Sequence, residues 1–478
     1  MTDILAILPE IVIALSACLL LLLDIFVPED KKGMVGRLAI AAILLAAFYS
    51  FQLSDLDITV MAGMYNIDGY STFFKFVFYA ATALSILLSL YHMKAEGAPS
   101  ENMGEYYALM LFSLCGMMVM ASGVDLLTIY LGLELMALPV YVLVGFLRKD
   151  ARSNEAAMKY IILGAFSSGI LLYGISLIYG ITGTTSLDGI RFALLADGAH
   201  AGVFTLGVVT LACGFCFKVA GFPFHVWAPD AYEGAPMSVT VFMTVAAKAA
   251  AFAAITRVFM DALLPAYDEW KTVLVAVAVL SMIYGNITAI AQTNIKRMLA
   301  YSSVSHAGYA LLGIIAGGRD GVAAVMFYML VYTFMNLGLF GVIMMMGRKR
   351  GMGEDIREYT GLARTNRVAA LCMLIFMFSL AGIPPTAGFM GKFYIFMALI
   401  NKGMIGLAVV AVATTAIAAY FYIRIVMLMY MKDTETTEGL YVGRTVLYVT
   451  GISVVAVLLL GVYPGWFIDL AARAAEML

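Results

Sequence analysis

Stretches of about 20 apolar residues recur from one end of this chain to the other, and a helix of that length spans the roughly 30 Å hydrocarbon core of a bilayer. Backbone N–H and C=O groups find no water there, so repeated apolar segments imply helices that satisfy their own hydrogen bonds. Composition agrees: 63% of the 478 residues are apolar and 13% are charged, against about 25% charged in soluble domains. The expected fold is an all-α polytopic membrane protein. Too little polar sequence remains for a soluble catalytic domain of about 100 residues or more, so no catalytic residue is assigned. No nucleic-acid footprint is present, and the partner that the composition implies is the lipid bilayer.

Hydropathy and loop breaks predict spans at 4–27, 35–54, 70–93, 105–121, 124–147, 155–181, 202–220, 236–260, 272–292, 296–316, 321–346, 367–400, 404–430 and 445–467, fourteen in all. An even count puts both termini on one side. Seventeen Lys and Arg residues fall in the connections of one side, among them Lys31, Lys32, Arg148, Arg152, Lys296 and Arg444, against five opposite, so the termini are expected to face away from the cytoplasm. Leu15-Ser-Ala-Cys18 resembles a lipoprotein cleavage box, yet Asp3 and Glu10 replace the basic start of a signal peptide. That segment is expected to be a retained first helix.

Two stretches are interrupted. Gly221 and Pro223 break the first, and Gly382, Pro384 and Pro385 break the second, where 367–400 is too long for one crossing and reads as a discontinuous helix. Phe217-Lys-Val-Ala-Gly-Phe-Pro223 and Phe378-Ser-Leu-Ala-Gly-Ile-Pro384 share a pattern 161 positions apart; Glu134 and His306 fall 172 apart. One period holds five spans, and an odd number inverts the second copy in the membrane. The organisation expected is residues 1–104 as the first helices, 105–260 and 261–430 as two inverted five-helix units, and 431–478 as a C-terminal helix.

Ionisable residues inside these spans carry the functional reading. Each costs roughly 2.5 to 3.5 kcal/mol at mid-membrane. Lys248 lies twelve residues past Pro236 among apolar neighbours, Glu134 is central in its span, and Lys218 and Lys392 flank the breaks. Unwound backbone is tolerated at that depth only inside protein or beside water, so these four are assigned to a polar axis. His306 sits mid-span in a hydroxyl-rich segment; it is either a core histidine satisfied by a hydroxyl or a relay able to hold either charge near neutrality, and the relay is favoured. His225, after the first break, serves equally as a surface anchor or a gate. Lys75, Lys159, Arg257 and Arg424 lie near span ends, where long side chains lift their charges to the interface; Lys159 is kept as an accessory. His92 and His200 are expected at the interface. Cys213-Gly-Phe-Cys216 lacks the second ligand pair that a metal or cluster needs, so these cysteines read as packing residues and no metal site is assigned.

Burial favours a neutral amine and a nearby carboxylate favours the ammonium, so small movements between such groups load or release a proton. A transfer from Lys218 through Lys248 and His306 to Lys392, controlled by Glu134, is the mechanism expected.

Phe217-Lys-Val-Ala-Gly-Phe-Pro-Phe-His-Val-Trp-Ala-Pro-Asp-Ala-Tyr-Glu-Gly-Ala-Pro236, Asn294-Ile-Lys-Arg-Met-Leu-Ala-Tyr-Ser-Ser-Val-Ser-His-Ala-Gly-Tyr309 and Leu380-Ala-Gly-Ile-Pro-Pro-Thr-Ala-Gly-Phe-Met-Gly-Lys-Phe-Tyr394 resemble the antiporter-like membrane subunits of complex I, the proton-pumping NADH:quinone oxidoreductase, with the subunit N branch most similar. The resemblance spans roughly 105–430. It implies a fourteen-helix fold with two inverted five-helix units and proton translocation as part of that enzyme; the short N-terminus and 478-residue length favour a bacterial inner membrane over an organelle as the expected location. Glu134, Lys218, Lys248, His306 and Lys392 match the family's functional positions. Quinone, NADH, flavin and iron–sulfur clusters are implied in partner subunits, with no cofactor in this chain, and further antiporter-like subunits are implied as neighbours. The alternatives are a subunit of a multisubunit sodium/proton antiporter, a related hydrogenase subunit, and a stand-alone solute transporter.

Overall fold

A computed structural model of the chain describes residues 2–96, 102–197, 202–347, 351–433 and 443–478. His200 lies outside the described residues. The principal helices of the first half are α1 (Leu8–Asp24), α2 (Gly33–Gln52), α3 (Gly69–Ala95), α4 (Met103–Ser122), α5 (Leu126–Val144), α6 (Ala151–Thr182), α7 (Val203–Lys218), the short α8 (Trp227–Gly234) and α9 (Met237–Ala262). The second half contributes α10 (Tyr267–Ile290), α11 (Ile295–Ala316), α12 (Gly318–Met346), α13 (Arg367–Ala381), α14 (Ala387–Asn401), α15 (Ile405–Met431) and α16 (Arg444–Val462). An antiparallel hairpin of β1 (Ile58–Val60) and β2 (Tyr65–Ile67) joins α2 to α3. It went unpredicted because three-residue strands carry too little alternation to read.

Short polar residues fix where the apolar helices begin, by accepting backbone N–H groups that a first turn leaves unbonded. Asp125 accepts from Leu127 and Thr128 at the start of α5, Asp150 from Arg152 and Ser153 at α6, and Asn294 from Lys296 and Arg297 at α11. Asn366 does the same for α13 through Ala369.

Eleven helices among the described residues are long and apolar enough to cross a membrane, against fourteen predicted spans. Three stretches account for the difference. Helix α1 has 17 residues, and the interruptions cut the other two stretches into α7 and the α13–α14 pair, with 16, 15 and 15 residues. Helices α9 and α11 form the centre, with 94% of the residues in an 18-residue apolar stretch of each buried within the chain, whereas in α2 and α15 that share is 33% and apolar faces point outward. Lipid is the natural environment for such faces. The axis residues on α9 and α11 are thereby screened from it.

Helix α9 is irregular where it matters. A π-helical turn, Met243–Ala247, immediately precedes Lys248, and a second, Val258–Ala262, follows Arg257. Such turns insert a residue and redirect the side chains beside them.

Candidate functional site

The first interruption begins where α7 stops at Lys218. Ala220 adopts a positive φ of 59°, and the backbone groups freed by the break find new partners: the Trp227 indole donates to the Phe217 carbonyl at 2.9 Å, and the Phe222 amide to Ser281 Oγ at 2.8 Å. With the backbone satisfied, the Lys218 ammonium turns to side chains. It donates to Tyr141 OH and Ser168 Oγ, each at 3.2 Å, and lies 4.0 Å from Glu134 Oε1. Ser168 donates to that same carboxylate oxygen at 2.5 Å. Helices α5, α6 and α7 thus assemble one cluster of amine, acid and two hydroxyls.

Lys248 is 3% exposed. Its ammonium donates to the Ser303 carbonyl at 2.7 Å and to the Ser303 hydroxyl, and it faces the Tyr332 ring, 5.7 Å from the centroid. One helical turn further along α11, His306 is held at both ring nitrogens: Nδ1 lies 2.6 Å from Tyr328 OH and Nε2 3.1 Å from Tyr422 OH. The Tyr422 hydroxyl also bonds Ser302. Tyr332 bridges the two sites, with its ring 5.3 Å from the imidazole.

The second interruption holds Lys392, 2% exposed, on the far side of the break from its counterpart. Its ammonium donates to the Leu380 carbonyl at 2.9 Å and stands 4.8 Å above the Tyr309 ring, which is 6.0 Å from the ring of His306. Tyr309 OH in turn bonds Thr414 and Thr415 at 3.2 and 3.1 Å. Lys248, His306 and Lys392 therefore lie in one run of contacts. Between Lys218 and Lys248 the connection is aromatic: Tyr141 to Tyr160 at 4.6 Å, Tyr160 stacked on Trp227 at 4.4 Å, Trp227 to Tyr232 at 6.3 Å, and Tyr232 OH to Ser303 Oγ at 3.3 Å.

Other assigned residues fall elsewhere. Lys159 sits at a polar rim, paired with Glu155 at 2.7 Å and Asp230 at 2.8 Å. Arg297 completes that rim with bonds to Asp230 and Glu233. Burial raises the Asp230 carboxyl, but hydrogen bonds from Lys159 and Arg297 outweigh it and hold the group below its usual value. His225 is buried and stacks beside Phe222 and Tyr284, with Nδ1 lacking a hydrogen-bond partner among the described residues. That placement is inside the protein, contrary to a surface anchor. Arg424 is half-buried and donates to the Ile290 carbonyl that ends α10. His92 is buried 3.5 Å from Glu96.

Besides His92, two further residues expected to reach the interface are buried. Lys75 is 3% exposed and pairs with Glu10 at 2.8 Å, and Arg257 is 1% exposed and pairs with Asp68 at 2.8 Å. Each finds its acid on another element, so nothing draws its charge to water.

The family described as NADH:quinone oxidoreductase/Mrp antiporter, transmembrane, matches residues 123–418. The chain belongs to this family. NADH-quinone oxidoreductase subunit N 2 of Rhizobium meliloti (strain 1021) is 47% identical over 471 residues, covering 98% of this chain and 97% of that protein. A chain in the structure of respiratory complex I from Thermus thermophilus with bound aureothin is 30% identical, with a TM-score of 0.81 and coverage of 97% and 99%. A chain of the Mrp complex from Dietzia sp. DQ12-45-1b shares the fold at 22% identity and a TM-score of 0.83, covering 98% and 97%. Membership makes this a multi-pass membrane protein, as its apolar helices require.

All five residues assigned to the axis lie within the family's matched segment, as do the groups that sequence reasoning missed, except Tyr422, which lies just beyond its end. Those are hydroxyls: Tyr141, Ser168, Ser303, Tyr309, Tyr328 and Tyr422. The hydroxyl-rich run on α11 was the one signal available for any of them.

Proposed function

We propose that this chain is a proton-translocating membrane subunit of NADH-quinone oxidoreductase, and that protons move along Glu134, Lys218, Lys248, His306 and Lys392. The observation carrying this reading is the contact run Lys248–Tyr332–His306–Tyr309–Lys392, in which two buried amines have no carboxylate within ion-pair distance among the described residues. A fixed ion pair would lock an amine in its charged form; these two are free to change it.

Each part has a defined task. At the first break, Glu134 and Ser168 hold a proton on Lys218, and movement of the acid away from the amine releases it. Ser303 and Tyr332 position the Lys248 amine. His306 accepts on one nitrogen and gives from the other, since both are already aligned on hydroxyls. Lys392 delivers to the opposite face. The inverted units 105–260 and 261–430 give each break its own half of the path, flanked by helices 1–104 and 431–478. NADH, flavin, iron–sulfur and quinone chemistry belong to partner subunits, next to further antiporter-like subunits in a bacterial inner membrane, with both termini on the periplasmic side. Similarity over the full length to a subunit N favours this over a sodium/proton antiporter subunit, whose counterpart shares the fold at lower identity.

The test is Lys248→Ala in the assembled complex, reconstituted in vesicles with NADH supplied. Proton uptake is expected to fall at least tenfold while reduction of a water-soluble acceptor by NADH, which reports the assembled redox arm, is unchanged. Unaltered uptake would remove Lys248 from the path.

A further inference from the structure

The Glu10–Lys75 pair stands outside the axis and outside the family's matched segment, which begins at residue 123. Glu10 on α1 and Lys75 on α3 are 6% and 3% exposed, with Nζ 2.8 Å from Oε1. Tyr65 on β2 donates to that same Oε1 at 2.6 Å, and Lys75 donates to the Tyr65 hydroxyl at 3.3 Å. Glu10 Oε2 is buried with no hydrogen-bond partner among the described residues. The other titratable groups around the carboxylate are Tyr79 on α3, bonded to Ser50, and Cys115 on α4, whose Sγ is 3.9 Å from the Glu10 carbonyl.

This lopsided arrangement is poor cement. A buried ion pair contributes little net stability unless its remaining lone pairs are satisfied. One oxygen of this carboxylate takes two polar contacts and the other none, which leaves a vacant position for a proton. Tyr65 reaches Oε1 from the hairpin; its cross-strand partner Val60 is buried, and Ile58 and Thr59 further along that strand are exposed. The hairpin thus leads from the carboxylate to exposed residues within one short strand.

We propose that Glu10 and Lys75 form a second proton-exchange site, on the N-terminal helices and open to the face that the hairpin covers. The inference rests on the chain translocating protons. A proton from water binds Oε2 and turns the carboxylate into a carboxylic acid, while Oε1 keeps the Tyr65 bond. The Lys75 ammonium loses its counter-charge and releases a proton to water. Transfer of the acid's proton to the neutral amine restores the original pair, so one proton enters and one leaves per cycle. No other reactant is needed.

The deciding variant is the double substitution Glu10→Leu with Lys75→Leu, in the complete complex reconstituted in vesicles beside Lys248→Ala. Replacing both members of a buried pair by apolar groups is tolerated or stabilising, whereas removing one strands a charge. Proton uptake, relative to NADH reduction of a water-soluble acceptor, is expected to fall at least threefold in the double variant. Wild-type uptake in the double variant would show a purely structural pair and overturn the proposal. If the double variant does not assemble, Glu10→Gln decides: it keeps the size of the side chain and an acceptor for Tyr65 and Lys75 but cannot take up a proton, so normal uptake there overturns the proposal while a twofold or larger fall supports it. Lys248→Ala separates the two readings. Normal uptake in that variant with a fall in the double variant condemns the axis and supports this site; the reverse condemns this site alone.

Discussion

The two helix interruptions hold the same residue against different partners. At the first, Trp227 takes up the carbonyl that the break frees, and Lys218 is left to face Glu134, Ser168 and Tyr141. At the second, Lys392 itself takes up the freed Leu380 carbonyl, and its other neighbour is the Tyr309 ring. A lysine held by an acid and a lysine held by a neutral dipole have different affinities for a proton. Similar sequence patterns have therefore produced one lysine facing an acid and one facing a neutral dipole, an asymmetry between the two ends of the proposed path.

The sharpest way to break this contrast is to remove each lysine. Lys218→Ala and Lys392→Ala are both expected to lower proton uptake at least tenfold, because each removes a member of the proposed path. Their stabilities should diverge. Lys392→Ala also orphans the buried Leu380 carbonyl, at a cost of about 1 to 3 kcal/mol, whereas Trp227 still serves Phe217 in Lys218→Ala. Thermal unfolding of the assembled complex checks this, and an equal loss in both variants would refute the difference in capping.

Packing provides a second, smaller contrast. A Cβ on Gly388 would lie 1.8 Å from the Ser379 carbonyl oxygen, a backbone atom that cannot swing aside, whereas a Cβ on Gly221 would meet Val277 Cγ1 at 2.9 Å. Gly388→Ala is expected to destabilise by about 1 to 3 kcal/mol, the usual range for overpacking. Gly221→Ala should cost less, since the valine methyl can shift. Thermal unfolding of the two variants side by side would sharpen the comparison; the reverse order would show that the first break is the more rigid.

What could be read from the sequence follows the same physics. Lys218, Lys248 and Lys392 stood out because a charge within an apolar run is costly, and glycine next to proline marks a helix that cannot continue. The hydroxyls around them stayed hidden. Tyrosine and serine sit comfortably in apolar helices, and 27 tyrosines give no reason to choose Tyr422 over another. Lys75 and Arg257 were misread because distance to a helix end measures depth only when that end meets water. Here the ends are covered, and the acids lie far away in sequence: Glu10 is 65 positions before Lys75 and Asp68 is 189 before Arg257. Pairings over such separations are a product of the fold, and hydropathy holds no trace of them.

The finest test of the contrast between the two ends is Ser168, which donates to Glu134 and accepts from Lys218 and so ties acid to amine. Ser168→Ala keeps both charges and removes only this link. A single hydrogen bond contributes about 1 kcal/mol net, so proton uptake is expected to fall about fivefold, and Ser168→Thr, which restores a hydroxyl, should recover most of it. Among the described residues the second interruption has no equivalent hydroxyl hydrogen-bonded to both its lysine and an acid, so altering Ser379, whose hydroxyl accepts from the Gly388 amide while the Lys392 ammonium donates to Leu380, should leave uptake per assembled complex unchanged. If Ser168→Ala proved silent while Ser379→Ala lowered uptake, the link between acid and amine at the first break would not govern transfer, and the contrast drawn between the two ends would fail.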